Sequence, residues 1–426
     1  MVQIAHISDT HLGKRPKRVR RGIINNEIRP LEDDFYLAWM EFVNQIADSD
    51  RKPDIIVHCG DFFDTPSGND SSPPPEYARM TAAKSFKQIH DTNIPFVIID
   101  GNHGHYMEYN SSTLSEYAYL FDNIHLFTHY DVRRAMIEKK PLFCDFPKIN
   151  LRILAHPVIP ARSLNTLELY SQYEKWVSIQ NNSLIQNMTN VLIAHGMMSN
   201  HTLHPNILDG NYDYIALGDD HKVHKVKDNA WYSGSSQMCT FSEWNDSKGY
   251  LIADINENTN SVNITFNKLL SDRKIVNTTV NVFPEDTSSM VISRVKSVLD
   301  SRNLNIRYDY STAARVRIVL EGTKTYGSSF NMGEIESYLN RLTLDSDEYN
   351  IVEFILDHPD SQDQLPLNEL ETMNSIEYLI DNAELEFQDY IKSVRDIQLK
   401  KENLDPNLLA KIFVQTLKGH KTNETT

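Results

Sequence analysis

Cysteine is scarce in this chain of 426 residues, which contains it only at Cys59, Cys144 and Cys239. Such widely separated cysteines exclude a disulfide framework and the short spacings of structural zinc sites, and they predict a reducing, cytoplasmic setting. The chain also lacks any apolar run near the roughly 18 residues that a membrane-spanning helix needs. Its first residues, MVQIAHISDTHLG, become polar too early for a signal peptide, so we expect an intracellular protein with no membrane association.

Basic residues are outnumbered in this sequence: 42 Lys and Arg stand against 58 Asp and Glu, and the formal net charge is -16. This deficit does not exclude a nucleic-acid partner, because binding depends on where the cations lie. Hydrophobic residues at 40% and charged residues at 23% are typical of a soluble, folded protein. A single core does not suffice at this length, so we expect two or three domains.

The first half of the chain alternates short apolar runs with helical patterns, which predicts a layered α/β domain around a buried sheet. The spacing of apolar residues predicts one helix that begins just after Pro30 and another over Glu76–His90. The predicted strands are Gln3–Ile7, Asp54–Cys59, Phe96–Ile99, Leu151–Ala155, Val191–Ala194, Tyr214–Leu217 and Tyr250–Ile255.

The pattern changes after residue 270, so we predict a large domain over residues 1–270 and a small α+β domain over 271–357. An acidic stretch over 358–375, which contains prolines, predicts a linker. Two amphipathic helices are predicted over 376–426, and they suit either packing on the protein's own core or binding to a partner. The elements predicted in the small domain are the helices Val291–Leu299 and Met332–Leu342 and the strands Ala314–Glu321 and Asn350–Leu356.

Residues with metal-binding chemistry directly follow five of the predicted strands. Loops beyond strand ends are where open α/β sheets place their sites. A single Asp or His in such a loop is usually a capping or hydrogen-bonding residue. Five successive strand ends with mixed oxygen and nitrogen ligands instead predict a site for two cations of the manganese, iron or zinc type rather than calcium. The candidate residues are Asp9, His11, Asp61, Asn102, His103, His195, Asp219 and His221.

In this order, the D-x-H, G-D, G-N-H and H-G elements and the final histidine resemble the calcineurin-like metallophosphoesterase superfamily. HISDTHLG at residues 6–13, GDFFD at 60–64, YIALG at 214–218 and YSGS at 232–235 are similar to the SbcD nuclease family and its meiotic recombination eleven counterparts. The resemblance covers residues 1–270 well and the small domain more faintly. It implies a four-layer metallophosphoesterase sandwich with a small α+β capping domain and a C-terminal helical element.

The resemblance also implies a role for each candidate residue. His103 would steady or protonate the transition state, a role that suits an imidazole close to the leaving oxygen. The expected cofactors are two divalent cations, with manganese preferred. One ion would be held by Asp9, His11, Asp61 and His221, and the other by Asp61, Asn102, His195 and Asp219.

Two positions depart from the family pattern. The family usually has His where this chain has Asp219, which shifts the expected preference toward harder ions such as manganese or magnesium. His224 is near enough to substitute, although its spacing does not match. The family usually has Asp directly after G-N-H, where it would orient the catalytic histidine, but this chain has Gly104. The orientation of His103 is therefore open, with His105 as one candidate replacement.

The densest basic run begins directly after the first motif and consists of Lys14, Arg15, Lys17, Arg18, Arg20 and Arg21. A charge run is usually a solvated surface, but beside a phosphate-cutting site in an acidic protein it predicts contact with a DNA backbone. For the C-terminal helices, the resemblance implies docking on the coiled-coil base of an SbcC-like ATPase. A homodimer is left open.

Three functions compete on the sequence. The leading hypothesis is a DNA exonuclease and endonuclease subunit for double-strand break repair. A phosphoesterase that acts on small nucleotides or phosphoproteins would need neither the basic run nor the length beyond residue 270. A non-catalytic scaffold is favoured only by Asp219 and Gly104, while the other site positions match the family pattern.

Overall fold

The computed structural model describes residues 1–14, 30–65, 73–103, 105–106, 111–159, 167–198, 202–256, 261–269, 273–322, 331–343 and 346–357. Most of the basic run, the predicted linker and the predicted C-terminal helices lie outside these residues. One compact unit contains residues 1–280, 285–319 and 327–356, and the described residues 281–284, 320–322 and 357 belong to a second. Within the described part, no helix is long and apolar enough to cross a membrane.

Helices and strands alternate through most of the first half, as the sequence predicts. The helices are α1 Pro30–Asp48, α2 Glu76–Asp91, α3 Ser115–Leu120, α4 His129–Glu138, α5 Leu167–Asn181, α6 Ser288–Ser301 and α7 Met332–Asn340. The strands are β1 Val2–Ile7, β2 Ile55–His58, β3 Phe96–Ile99, β4 His105–Tyr106, β5 Ser111–Ser112, β6 Ile124–Phe127, β7 Phe143–Phe146, β8 Leu151–His156, β9 Thr189–His195, β10 Tyr214–Gly218, β11 His224–Lys227, β12 Ala230–Tyr232, β13 Gly249–Asn256, β14 Ser261–Lys268, β15 Ile275–Val282, β16 Ala314–Gly322 and β17 Ile351–Asp357.

Two six-stranded sheets form the centre of the first unit. One has the order β14-β13-β1-β2-β3-β6, and the other has the order β11-β12-β10-β9-β8-β7. Strands β1, β2, β3 and β6 run parallel, and so do β8, β9, β10 and β12. Parallel neighbours end at the same edge of their sheet, so the residues that follow them are brought together.

The sheets pack against each other and carry helices on their outer faces. Ile4 and Val57 of one sheet join Ile193 of the other in a buried cluster. Ala5 and Ile7 point away from that cluster and pack with α1 and α2, while α4 and α5 cover the second sheet. Strands buried on both faces need continuous apolar runs, as the sequence has. The predicted α/β, four-layer metallophosphoesterase sandwich is confirmed.

The elements predicted within residues 271–357 are also present. Strands β15, β16 and β17 form a three-stranded sheet, and α6 and α7 accompany it. Thr287 caps α6 by accepting a hydrogen bond from the backbone of Met290. The buried guanidinium of Arg273 pairs with Asp34 of α1 at 2.7 Å. The exact domain boundaries stay a prediction.

Candidate metal centre

Four candidate residues have backbone angles that L-amino acids rarely adopt. The φ angles are 51° at Asp9, 43° at His11, 52° at Asp61 and 95° at Asp219. Such conformations cost about 1–3 kcal/mol each and persist only where the surrounding structure imposes them. The strained turns at these strand ends turn the four side chains toward one another, which is a common feature of functional sites.

Asp61 lies at the middle of the cluster and is 2% exposed. Its Oδ2 is 3.9 Å from Nε2 of His11, and its Oδ1 is 3.7 Å from Nε2 of His195. Oδ1 also accepts a hydrogen bond from the backbone N–H of His103 at 2.9 Å. The two carboxylate oxygens therefore face two different histidines, the arrangement expected of a carboxylate that bridges two ions.

On one side of Asp61, the Nε2 atoms of His11 and His221 face each other at 3.2 Å. The Nδ1 of His11 is 3.1 Å from a carboxylate oxygen of Asp64, and the Nδ1 of His221 is 3.2 Å from Glu243. Carboxylates only accept hydrogen bonds, so each Nδ1 carries the hydrogen and each Nε2 presents a lone pair. Asp9 lies with His11 and Asp61 in a group whose ligand atoms are within 4.8 Å of one another. These residues fit a cation position.

On the other side of Asp61, the Nε2 of His195 is 3.0 Å from Oδ1 of Asn102 and 3.6 Å from Oδ1 of Asp219. The Nδ1 of His195 donates to the carbonyl of Cys59 at 2.7 Å, so its Nε2 is also the ligand atom. Asp61, His195 and Asp219 form a second group of ligand atoms within 4.8 Å. This group fits a second cation position that shares Asp61 with the first.

Close backbone approach makes glycine necessary at two positions around Asp61. A Cβ on Gly60, whose φ is 95°, would lie 2.2 Å from Nδ1 of His195. A Cβ on Gly101 would lie 2.0 Å from Oδ1 of Asp61. Both glycines bring loops of neighbouring strands into direct contact with candidate ligands, because no side chain separates them.

Burial and the attraction between opposite charges shift the pKa values of the acids and histidines at this site. Burial raises the pKa of Asp9 to about 6 and lowers that of His11 to about 4. Although burial opposes it, Asp61 and Asp219 raise the pKa of His195 to about 9. Despite its burial, His195 and the neighbouring histidines lower the pKa of Asp61 to about 2. An imidazolium therefore lies among carboxylates, where a divalent cation would take over its charge.

His103 lies beside the two groups, and its side chain is 26% exposed. Its Nδ1 donates to the carbonyl oxygen of Thr65 at 2.7 Å, and the Thr65 hydroxyl donates to the carbonyl of His103. Its Nε2 is 4.0 Å from Oδ2 of Asp61. Thr65 thus fixes the ring in the way that an Asp at position 104 would otherwise do. Gly104 and the side chain of His105 lie outside the described residues.

The alternative ligand His224 lies apart from these groups. Its Nδ1 is 3.0 Å from the carbonyl of Lys222, and its ring stacks on Tyr232 with centroids 4.8 Å apart. Among the described residues, the groups with metal-binding geometry include Asp219 and do not include His224. Asp219 is therefore the better candidate at this position.

Several residues that hold the candidate ligands in place were not predicted from the sequence. Asp64 belongs to the GDFFD motif, so its position three residues after Asp61 was a usable signal. Glu243 and Lys248 carry no such signal in the sequence, because only folding brings them to His221. Lys248 is fully buried and contacts Oε2 of Glu243 at 2.5 Å. Although burial opposes it, His221 and Lys248 hold the pKa of Glu243 below its usual range.

Lys14 is the one member of the basic run among the described residues. Its Nζ donates to Oδ1 of Asp64 at 3.0 Å, and its side chain is 20% exposed. Although burial opposes it, Cys239 and Asp64 raise the pKa of Lys14 to about 12. Lys14 therefore places a permanent positive charge beside the candidate ligands. Arg15, Lys17, Arg18, Arg20 and Arg21 lie outside the described residues.

Several known proteins have sequences similar to this chain. The sequence model of a family described as Calcineurin-like phosphoesterase matches residues 2–223. The chain is 40% identical over 103 residues to a DNA double-strand break repair protein Mre11 from Saccharolobus solfataricus, covering 24% of this chain and 23% of that protein. A protein of the same description from Sulfolobus acidocaldarius is 36% identical over 102 residues, covering 24% and 22%. These matches span less than a quarter of either archaeal protein.

A longer match covers about two thirds of the chain. A relative from Staphylococcus epidermidis, described as a subunit of the nuclease SbcCD, is 26% identical over 324 residues, which cover 69% of this chain and 75% of that protein. This match covers a larger share of both chains than the archaeal matches do.

Proposed function

The chain belongs to the calcineurin-like phosphoesterase family, and from this premise we propose that it is a two-metal DNA exonuclease and endonuclease subunit for double-strand break repair. One observation carries the proposal: Asp61 turns Oδ2 toward His11 and Oδ1 toward His195, so a single carboxylate joins two groups of ligands. The printed names of the relatives, which refer to double-strand break repair and to a nuclease, support DNA as the substrate.

The ligand assignment follows the two groups. Asp61 would contribute to both cation positions, and it is buried and ionised at neutral pH because nearby histidines lower its pKa. The second set contains the carboxylate of Asp219 in place of an imidazole, which makes it richer in oxygen and favours a hard ion such as manganese. We assign Asp9, His11, Asp61 and His221 to the first ion, and Asp61, Asn102, His195 and Asp219 to the second.

Divalent cations bound in these positions would orient a phosphate and neutralise its developing charge. They would also lower the pKa of a water molecule toward physiological pH. His103 supplies the proton that the departing oxygen needs. The carbonyl of Thr65 holds the hydrogen on Nδ1, so only Nε2 is free to face a substrate. A water oxygen bonds to phosphorus as the bond to the leaving oxygen breaks, and Nε2–H of protonated His103 donates its proton to that leaving oxygen, so the ring becomes neutral.

DNA degradation tests this function directly. Purified protein supplied with manganese should degrade a linear duplex, whereas His103→Ala should keep its metal and lose roughly 10²–10⁴-fold in turnover, the usual range for a general acid. A wild-type protein that holds manganese but hydrolyses only small phosphodiesters would instead identify a small-substrate phosphoesterase. Metal binding without any hydrolysis would identify a scaffold.

The basic run is proposed to contact DNA phosphates. Changing Arg15, Arg18 and Arg21 together to Gln removes three cations without altering any proposed ligand. Each lost contact should reduce the slope of log affinity against log salt by about 0.9 on duplex DNA. Hydrolysis of a small chromogenic phosphodiester should be unchanged. An unchanged salt slope together with unchanged DNA cleavage would show that the run is only a charged surface.

The partner is proposed to be an SbcC-like coiled-coil ATPase in the cytoplasm. The name of the bacterial relative, which refers to the SbcCD nuclease, supports this assignment. The predicted amphipathic helices over 376–426 are the candidate docking segment, and they lie outside the described residues. Co-purification with such an ATPase should be lost when the chain is truncated after residue 357, and retention would contradict the assignment.

A further inference from the structure

A thiol lies beside the first cation position and has no role in the assignment above. Cys239 forms a third group with His11 and His221, in which the sulfur and one nitrogen of each ring all lie within 4.8 Å of one another. The residue is 7% exposed, while His11 is 1% exposed. The thiol is therefore shielded from bulk solvent and lies close to both imidazole rings.

The distances suit one ion bound by all three side chains. Two nitrogens at 2.0–2.1 Å from a tetrahedral zinc ion lie roughly 3.3 Å apart, and a sulfur at 2.3 Å lies roughly 3.6 Å from each nitrogen. The Nε2 atoms of His11 and His221 are 3.2 Å apart, close to that separation. The sulfur of Cys239 lies within 4.8 Å of one nitrogen of each ring, about 1.2 Å or less above the separation expected for shared ligation.

The loop that carries Cys239 is fixed by the same residue that fixes His221. The backbone N–H of Cys239 donates to Oε2 of Glu243 at 3.1 Å, while Oε1 of Glu243 is 3.2 Å from Nδ1 of His221. Lys248 contacts the same Oε2 at 2.5 Å and donates to the carbonyl of His221 at 2.9 Å. Glu243 and Lys248 thus hold the thiol and the imidazole in one rigid arrangement.

The other two cysteines have different surroundings from those of Cys239. Cys59 is fully buried and its thiol donates to the carbonyl of Ala216 at 3.3 Å. Cys144 is a partly buried residue of the edge strand β7. Neither belongs to a group of ligand atoms among the described residues. Cys144 is therefore a matched control for removing a thiol elsewhere in the chain.

We propose that Cys239 is a fifth side-chain donor at the first cation position, beside Asp9, His11, Asp61 and His221, so that this position prefers a thiophilic ion such as zinc. The second position, with oxygens from Asp61, Asn102 and Asp219, retains a preference for a hard ion such as manganese. On coordination the thiol releases its proton to solvent and binds as thiolate. The inference rests on the proposed two-metal function, and it adds a distinct chemical character to each ion.

Cobalt(II) is a suitable probe because thiolate ligation gives it an intense near-ultraviolet charge-transfer band that nitrogen and oxygen ligands do not give. Chelator-stripped wild-type protein titrated with cobalt should develop this band. Cys239→Ser should bind cobalt without the band, and Cys144→Ser should keep it. Zinc affinity, measured by competition with a chromophoric chelator, should fall at least roughly 10-fold in Cys239→Ser, the lower end of what even outer partners of metal ligands cost. Manganese affinity should change less than zinc affinity.

Each outcome bears on the inference. Cobalt binding by the wild type without the band, or with a band that persists in Cys239→Ser, would overturn it and leave the two-metal function intact. A wild-type protein that binds no divalent ion would overturn both. If Cys239→Ser does not fold, the spectra of the wild type and Cys144→Ser decide, since Cys59 is enclosed in the core.

Discussion

Replacement of Glu243 should lower both metal affinity and folding stability, and the two effects can be measured separately. Its Oε1 is 3.2 Å from Nδ1 of His221, and its Oε2 accepts from Lys248 at 2.5 Å and from the backbone of Cys239 at 3.1 Å. Glu243→Gln keeps the shape of the side chain but replaces one acceptor with an NH2 donor. Every orientation of that amide therefore places a donor against a donor.

The amide acts differently according to which group it faces. An NH2 turned toward His221 favours the tautomer with hydrogen on Nε2, which can no longer bind a cation. Loss of such an outer partner costs roughly 10–100-fold in metal affinity, or about 1.4–2.7 kcal/mol. In either orientation Lys248, which is fully buried, loses its close counter-charge at 2.5 Å, and the remaining carboxylate of Asp246 is 4.0 Å away. Removal of one partner of a buried ion pair costs about 3–5 kcal/mol of folding stability.

The two costs are measured separately. Urea denaturation of metal-free protein gives the change in stability, and calorimetric titration of the folded protein gives manganese and zinc affinities. The double variant Glu243→Gln with Lys248→Met serves as the control, because it removes the unpaired cation. It should recover most of the lost stability while metal affinity stays low. Wild-type metal affinity in folded Glu243→Gln would refute the claim that Glu243 sets the tautomer of His221.

Other predictions concern the second ion, the close contact between Gly101 and Asp61, and the ion pair between Asp34 and Arg273. Asp219→His should keep two bound ions and increase activity with softer ions, whereas Asp219→Ala should lose the second ion; full activity in the alanine variant would remove Asp219 from the ligand set. Gly101→Ala should weaken metal binding, because its Cβ would lie 2.0 Å from Oδ1 of Asp61; elemental analysis of the folded variant checks this. Asp34→Asn should lower stability by about 3–5 kcal/mol, since it leaves the buried Arg273 unpaired, and a urea midpoint equal to wild type would contradict this.

The layered fold was predictable because its strands are buried on both faces. Continuous apolar runs such as those of β3 and β9 have little alternative to a sheet interior. Strands such as β14, whose residues Ser261–Lys268 alternate between partly buried and exposed, carry a weaker signal and were not predicted. Helices α4 and α5 were missed as well, since their packing depends on contacts with the second sheet that sequence spacing does not encode.

The candidate ligands were found because each stands directly after a predicted strand. The residues that contact these ligands were not predicted. Glu243 and Lys248 are distant in sequence from His221 and meet it only in the folded chain. The orientation of His103 was left open for a similar reason, since a backbone carbonyl, that of Thr65, has no side-chain signature. Cys239 looked like an isolated cysteine until the fold placed it beside two histidines.

Metal stoichiometry tests the central claim, that Asp61 joins two cation positions, most directly. Stripped protein dialysed against millimolar manganese and assayed by elemental analysis should contain two ions per chain. His103→Ala should also contain two, because this residue is assigned to proton transfer, whereas Asp61→Ala should lose both. An absence of bound manganese in the wild type, or two tightly bound ions in Asp61→Ala, would contradict the account.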